Sequence, residues 1–455
     1  MVPSPRLVVR RRRLLGLVLA CLWVLGLTPH AAARPGWQSQ IVRLTAGHDI
    51  GVSVGDGLRV VLDQAGKKRR SPASNQKLLL TMALFAELGP AARLPTTAGA
   101  VHFRDGVVHG DLWLVGGGDP ALAGRGGLER ELPFPPTRLG RLAARVAEAG
   151  VERVTGRIMG STGYFRHDWW APGWESFFPA EVVALPSALT YEGNVRAGRM
   201  TTRPELLAAR YLRRELERRG VWVSGRPGTG AAPGGLKPVA RVRSQPLARL
   251  AVHMNRESDN FFAEVLGKRL GVAHRGAPGT IAKGAAALEA WARERGVTIE
   301  AHDSSGLSRL DHVSTNGLVR LLSREMRDSS WRPLRRSLAA GDQGTLEDRL
   351  QDVRVRAKTG SLFDVSALSG WVWSERGRGW IPFSIISRGV GQPAAIQLED
   401  RVVRLLARRS PGPSPLIPLV ARRLQLAVAA APFDARTWLA LARKSVAAGE
   451  TRSAS

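Results

Sequence analysis

Three short polar motifs, lying far apart in the chain, constrain its fold more than any other feature of the sequence. Ser74-Asn75-Gln76-Lys77 is the one S-x-x-K, Ser258-Asp259-Asn260 fits S-x-N, and Lys358-Thr359-Gly360 reads K-T-G. If they form one site, the backbone must leave it and return twice, the first time over about 180 residues. Ser74 to Leu88 is predicted helical, since it holds no Gly or Pro and Gly89-Pro90 stops it. Residues three apart on a helix share a face, so the Lys77 amine can lie over the Ser74 hydroxyl. That hydroxyl is a weak nucleophile and needs a base beside it. Lysine serves when burial or a nearby cation keeps its amine partly neutral, whereas arginine does not deprotonate in proteins.

Composition enters here. Of 67 Lys+Arg only eight are lysine, yet Lys77 and Lys358 are two of them. An ordinary amphipathic surface helix in this chain would carry arginine. Asparagine is rarer still at five, and Asn75, Asn255 and Asn260 fall in or beside the motifs. Ser314-Thr315-Asn316 also fits S-x-N. Ser258 is preferred because it is read as lying on an apolar helix, whereas Ser314 reads as the cap of a helix starting near Asn316.

The formal net charge is +29, and with 44% hydrophobic and 23% charged residues the chain is globular. Arg6 and Arg10 to Arg13, the apolar run Leu14 to Leu27 and the small residues Ala31-Ala32-Ala33 have the layout of an export signal cleaved after Ala33. Fourteen apolar residues are short of the roughly 20 that a membrane helix needs, which leaves an uncleaved anchor as the second reading. The single cysteine, Cys21, falls inside this segment, so a mature protein has no thiol chemistry. Export argues against nucleic acid as a partner and leaves anionic wall polymers or a membrane surface, although an arginine-rich solvated surface accounts for the charge better still. The nine histidines form no H-E-x-x-H. No metal or cofactor is expected.

Residues 36 to 70 read as strands, 96 to 240 as short strands and glycine-rich loops with a helix at 204 to 219, and 244 to 270 and 279 to 296 as helices. Ala367 to Trp373 and Trp380 to Ile386 are predicted to be adjacent strands. Pro411 to Pro415 is a linker, and the alanine-rich tail after it has one helix with a tetratricopeptide-like pattern, read as a docking helix.

S-x-x-K, S-x-N and K-T-G in this order are the motif set of serine β-lactamases and penicillin-binding proteins. The long first gap and the lack of a Glu-x-x-x-Asn after the second motif point away from a compact class A β-lactamase. Pro72 to Lys77, Leu114 to Pro120, Met254 to Glu264, Ser305-Gly306-Leu307-Ser308, Gly344-Thr345-Leu346 and Ala357 to Leu362 together resemble the class C low-molecular-mass penicillin-binding proteins, over roughly residues 40 to 405. The resemblance implies an α/β (α+β) fold. Its core is a transpeptidase-like domain, an antiparallel sheet with helices on both faces, carrying a large inserted, mainly β region. The divisions expected are a signal at 1–33, a catalytic domain at 34–95 and 241–410, an insert at 96–240, and a linker and tail at 411–455.

The resemblance also implies the activity: a D-Ala-D-Ala carboxypeptidase, and an endopeptidase as well, acting on peptidoglycan stem peptides and inhibited by β-lactams. Ser74 would be acylated, with Lys77 its base. Ser258 would relay a proton to the leaving amine, and Asn260 would orient Lys77 or the substrate amide. Lys358 would lower the Lys77 pKa and attract the substrate carboxylate, which Thr359 or Ser361 would bind beside Gly360. The N–H groups of Ser74 and Ser361 would form the oxyanion hole. The chain departs from the family in having Gly160-Ser161-Thr162 where an acidic residue is usual before the aromatic matching Phe165, and Ser387-Arg388 where the strand after K-T-G usually ends in Asn. A β-lactamase or esterase on the same fold, or a non-catalytic wall-binding scaffold, are the rival readings.

Overall fold

The structure is a computed structural model that describes residues 36–409. The export segment and the linker and tail from 411 onward lie outside the described residues. None of the described helices is long and apolar enough to cross a membrane.

The described residues open with a helix where strands are expected, α1 (Trp37–Thr45). Trp37, Ile41 and Thr45 recur every four residues, and Ile41 and Thr45 are buried, so the face is helical although the segment is short. Strands β1 (Asp49–Gly55) and β2 (Val60–Gln64) follow, then α2 (Gln76–Leu88), whose C-terminus is closed by Gly89 at φ +81°. The region from 95 to 243 contains β3 (Pro95–Ala100), β4 (Leu112–Gly116), α3 (Leu139–Glu148), β5 (Ile158–Ser161), α4 (Pro204–Glu217), β6 (Gly228–Gly230) and β7 (Lys237–Arg243). After it come α5 (Leu247–Arg256), α6 (Asn260–Arg275), α7 (Ile281–Glu294) and α8 (Thr315–Glu325). The described chain ends with β8 (Val355–Leu362), β9 (Val365–Ser374), β10 (Gly379–Arg388) and α9 (Gln392–Ala407).

The single helix expected over 244 to 270 is in fact two. Ser258 has φ +58°, which a helix cannot accommodate, and Asp259 caps the new helix by accepting from the Phe262 N–H. Asn255 to Asn260 is wholly polar, but Met254 and Phe261 on either side are seven apart and keep one helical phase, which hides the break from a reading of periodicity. The second motif therefore sits in a turn, not on a helix.

One sheet has the order β8-β9-β10-β1-β2, with every neighbouring pair antiparallel and β8 at the edge. Successive residues of a strand point to opposite faces. Val365, Ala367 and Trp371 join the core beneath α2, α5 and α6, while Leu368 and Val372 join the one beneath α1 and α9. Both faces are thus covered by helices.

Residues 98 to 242 build a core of their own, in which α3 and α4 pack on a second sheet of order β6-β5-β4-β3-β7. Here β5 runs parallel to both β4 and β6, so this region mixes helices with its strands. Its first and last strands pair antiparallel, with Pro95 opposite Arg243. The backbone leaves and re-enters the catalytic sheet's neighbourhood side by side.

Candidate active site

Ser74 lies in a 3₁₀ turn, Ala73–Asn75, directly ahead of α2. Ala73 holds φ +46°, a left-handed conformation that costs a non-glycine residue energy and is found where surroundings enforce it. Two glycines supply the enforcement by allowing close approach. A Cβ on Gly306 would fall 1.9 Å from the Ala73 carbonyl oxygen, and one on Gly360 would fall 2.8 Å from the Pro72 oxygen and 3.1 Å from the Ser74 nitrogen. The K-T-G strand is therefore pressed against the serine turn. Asn75 adds a tether, donating from Nδ2 to Ser369 Oγ on β9 at 2.8 Å.

Lys77, in the first turn of α2, is fully buried. Its Nζ lies 3.0 Å from Ser74 Oγ, 2.8 Å from Asn260 Oδ1 and 2.7 Å from the Ser305 carbonyl oxygen. Burial pulls its pKa down to about 8, against the opposing pull of Asp303, Asp259 and Glu264. Lys358 is also fully buried and donates to Ser258 Oγ at 3.0 Å and to the Thr359 carbonyl at 2.9 Å. Burial, then repulsion from Lys77, pushes its amine well below the ordinary lysine value. Desolvation is the largest cause at both amines, and the repulsion between them, being mutual, disfavours charge on each.

The S-D-N turn divides its labour. Ser258 faces Lys358, Asn260 faces Lys77, and Asp259 caps α6 while pairing with His253 Nε2 at 3.1 Å. Thr359 is half-exposed on the edge strand, with Oγ1 2.7 Å from Thr345 Oγ1, and Ser361 is exposed beyond Gly360. The rival S-x-N at 314–316 is elsewhere. Ser314 caps α8 by accepting from Gly317, and Asn316 binds Asp63. All eight residues singled out from the three motifs thus lie in the three adjoining segments around Lys77 and Lys358.

A set of buried residues that the motif search does not assign fixes the third partner of Lys77. Glu264 Oε1 accepts from the N–H groups of Ser304 and Ser305, and Asp303 accepts from those of Gly306 and Ser308 and from Trp174 Nε1. These bonds pin the turn whose Ser305 carbonyl receives the lysine. Burial raises the Glu264 pKa to about 8. The available signal in the sequence is the polar run Asp303-Ser304-Ser305 next to Gly306, which is fully buried.

The model of the D-Ala-D-Ala carboxypeptidase 3 (S13) family matches residues 46–202 and 184–409. The chain is 29% identical over 388 residues to carboxypeptidase DacB of Mycolicibacterium smegmatis, covering 79% of this chain and 81% of that protein. It is 27% identical over 434 residues to a D-alanyl-D-alanine carboxypeptidase of an Actinomadura strain, covering 75% of this chain and 78% of that protein. Among solved structures, penicillin binding protein 4 of Haemophilus influenzae superposes with a TM-score of 0.69 at 20% identity, covering 81% of this chain and 99% of that one. That likeness establishes the fold.

Proposed function

The chain belongs to the D-Ala-D-Ala carboxypeptidase 3 (S13) family, and on that premise we propose that Ser74 is the residue acylated by substrate and Lys77 the base that activates it. The protein is a serine-type D-Ala-D-Ala carboxypeptidase acting on peptidoglycan peptides, and it binds β-lactams. It works outside the cytoplasm, carried there by residues 1–33.

One observation carries the assignment. A neutral lysine amine has two N–H donors and one lone pair. The Asn260 Oδ1 and the Ser305 carbonyl oxygen are acceptors only, so they take both donors. The lone pair is left for the third neighbour, the Ser74 hydroxyl at 3.0 Å. Lys77 then removes the serine proton as Oγ bonds to the carbonyl carbon of the penultimate D-Ala. The oxyanion faces the N–H groups of Ser74 and Ser361. As the C–N bond breaks, Ser258 gives its proton to the leaving D-Ala amine and is reprotonated through the lysines. Water, deprotonated by Lys77, then attacks the ester carbonyl, and the proton passes from Lys77 to Ser74 Oγ as the C–O bond breaks. A substrate carboxylate arriving at Thr359 and Ser361 favours the charged form of Lys358, which gains a cation where the empty site disfavours one.

Mapping the peptide labelled by fluorescent penicillin tests this reading. Label on Ser74 is expected, and label on any other residue of the folded protein rejects the assignment.

The pH dependence follows from the lysine. Only neutral Lys77 accepts a proton, so the acylation rate should climb about tenfold per pH unit up to about 8 and then level. The Asp303 carboxylate opposes the depression, so Asp303→Asn should move the bend to lower pH; its amide oxygen can still accept from Gly306, while the Ser308 and Trp174 N–H groups lose the acceptor that Oδ2 provides. Stopped-flow acylation from pH 5.5 to 10 measures both. A bend that stays put in the variant removes Asp303 from the electrostatics of the base.

A further inference from the structure

Beside the edge strand β8 the fold crowds Arg256, Arg332, Arg335, Arg336, Arg354 and Arg356 together. Arg256 ends α5, Arg332 to Arg336 lie on the short helix Trp331–Ser337, and Arg354 and Arg356 flank Val355, the first residue of β8. Arg256 Nη2 donates to the Arg336 carbonyl at 3.0 Å and Arg356 Nη1 to that of Leu338 at 3.3 Å, which ties the three segments to one another. Burial, then repulsion from Arg356, Arg336, Arg354 and Arg332, holds Arg335 below the ordinary arginine value. Burial, then Arg256 and Arg336, does the same at Arg356.

A chain rich in arginine does not by itself produce such a patch. Elsewhere the guanidiniums meet carboxylates: Arg70 binds Asp49, Arg309 binds Glu175 and Asp364, and Arg349 binds Glu399 and Asp400. In the patch no arginine has an ion pair among the described residues, and Glu257, next to Arg256 in the chain, makes none with it. Tryptophans order these guanidiniums instead. Arg335 lies over the Trp331 and Trp380 rings at 4.7 and 4.2 Å, and Arg354 over Trp373 at 4.7 Å. Stacking fixes the plane of a guanidinium and leaves its N–H edge to grip a phosphate with two bonds, at little further entropic cost. Several unpaired cations side by side suit an anion that repeats along a chain, and each pairing relieves their repulsion. A bilayer suits them less. The tryptophans are partly buried beneath the arginines, and none of the large apolar side chains exposed among the described residues lies in the patch.

We propose that this patch binds a linear phosphodiester polymer of the cell wall, its guanidiniums pairing with the phosphates of successive repeats. Arg256 and Arg356 stand two residues ahead of Ser258 and Lys358. Side chains two apart on a strand share a face, so Arg356 brings the bound polymer up beside the catalytic centre. Retention at the wall is then supplied by a surface distinct from the reacting groups. None of these arginines takes part in the acylation described above, so polymer binding and penicillin labelling are separable.

Titrating a fluorescent poly(glycerol phosphate) chain with the purified protein, read by anisotropy, tests the proposal. Arg332→Glu with Arg354→Glu reverses two exposed charges of the patch. Arg210→Glu with Arg214→Glu reverses two on the exposed face of α4, so the two double variants have the same net charge. The parent should bind with an affinity that falls steeply as salt is added. The first variant should bind about tenfold more weakly or worse, and the second within about twofold of the parent, with penicillin labelling unchanged in all three. If the first does not fold, Arg332→Gln with Arg354→Gln removes the charge alone and should also weaken binding by about tenfold. Equal loss in the patch and α4 variants means that overall charge attracts the chain, and overturns the proposal. So does a folded parent that binds no polymer at low salt. Tighter binding to phosphatidylglycerol vesicles or to polyglutamate than to the phosphate chain overturns it as well.

Discussion

Ser74→Ala is expected to release D-Ala from a wall pentapeptide about 10⁶-fold more slowly than the parent, and to take no covalent penicillin. The size of the loss comes from removing the one atom that bonds to the substrate carbonyl, which leaves no covalent route for the remaining groups to assist. Binding should survive, because Lys358, Thr359 and Ser361 lie on the edge strand β8 and keep their places without the hydroxyl. The variant should therefore hold a non-reacting peptide as tightly as the parent in calorimetry. Thermal stability should not fall, since the hydroxyl is only half-buried and its removal leaves Lys77 with two acceptors. Residual acylation at a neighbouring hydroxyl would move the nucleophile elsewhere.

Lys77→Arg should slow acylation by about 10²–10⁴-fold, the range over which a positioned base contributes. Formal charge is conserved, so the effect isolates proton acceptance from electrostatics: a guanidinium has no lone pair to offer at any pH a protein survives. Size acts in the same direction. Three polar atoms surround Nζ within 3.0 Å, and a planar five-donor group cannot occupy that space without displacing the Ser74 turn or the Ser305 carbonyl. If the larger head group prevents folding, Lys77→Met keeps the stem and answers the same question. Circular dichroism checks the fold, and rapid-quench labelling reads the rate. Undiminished labelling in either folded variant removes Lys77 as the base.

Much of this centre was legible because its chemistry has few substitutes. In an arginine-rich chain a retained lysine marks a position where the amine must lose a proton or fit a tight space, and that argument singled out Lys77 and Lys358. Asn75 and Asn255 were flagged by rarity, and each proves to be a tether: Asn75 ties the serine turn to β9, and Asn255 binds Thr81 and Ser337. The paired strands β9 and β10 were legible from their apolar runs and from the turn containing Gly377-Arg378-Gly379 between them.

What escaped has physical reasons. The break before α6 falls in the polar stretch Asn255 to Asn260, whose apolar flanks keep one helical phase, and the backbone of Ser258, at φ +58°, reveals it. Helix α1 is one short amphipathic stretch, too brief for its period to outweigh the neighbouring strand signals. The pinning of the Ser305 carbonyl depends on Glu264 and Asp303, which meet only once α6 and the 303–308 turn are packed. Motif spacing shows which charges are neighbours, but not that burial is the largest cause of the shift at both amines.

The antiparallel pairing of β3 with β7 places the two crossings into the inserted region next to each other, Pro95 opposite Arg243. Such a neck is topologically equivalent to a hairpin with a very large tip. The excursion can therefore lengthen, shrink or be exchanged without rerouting the turn that bears Ser74 or the strand that bears Lys358. The residues gathered around Lys77 and the separate core built by residues 98 to 242 are thus carried on separable pieces of one polypeptide.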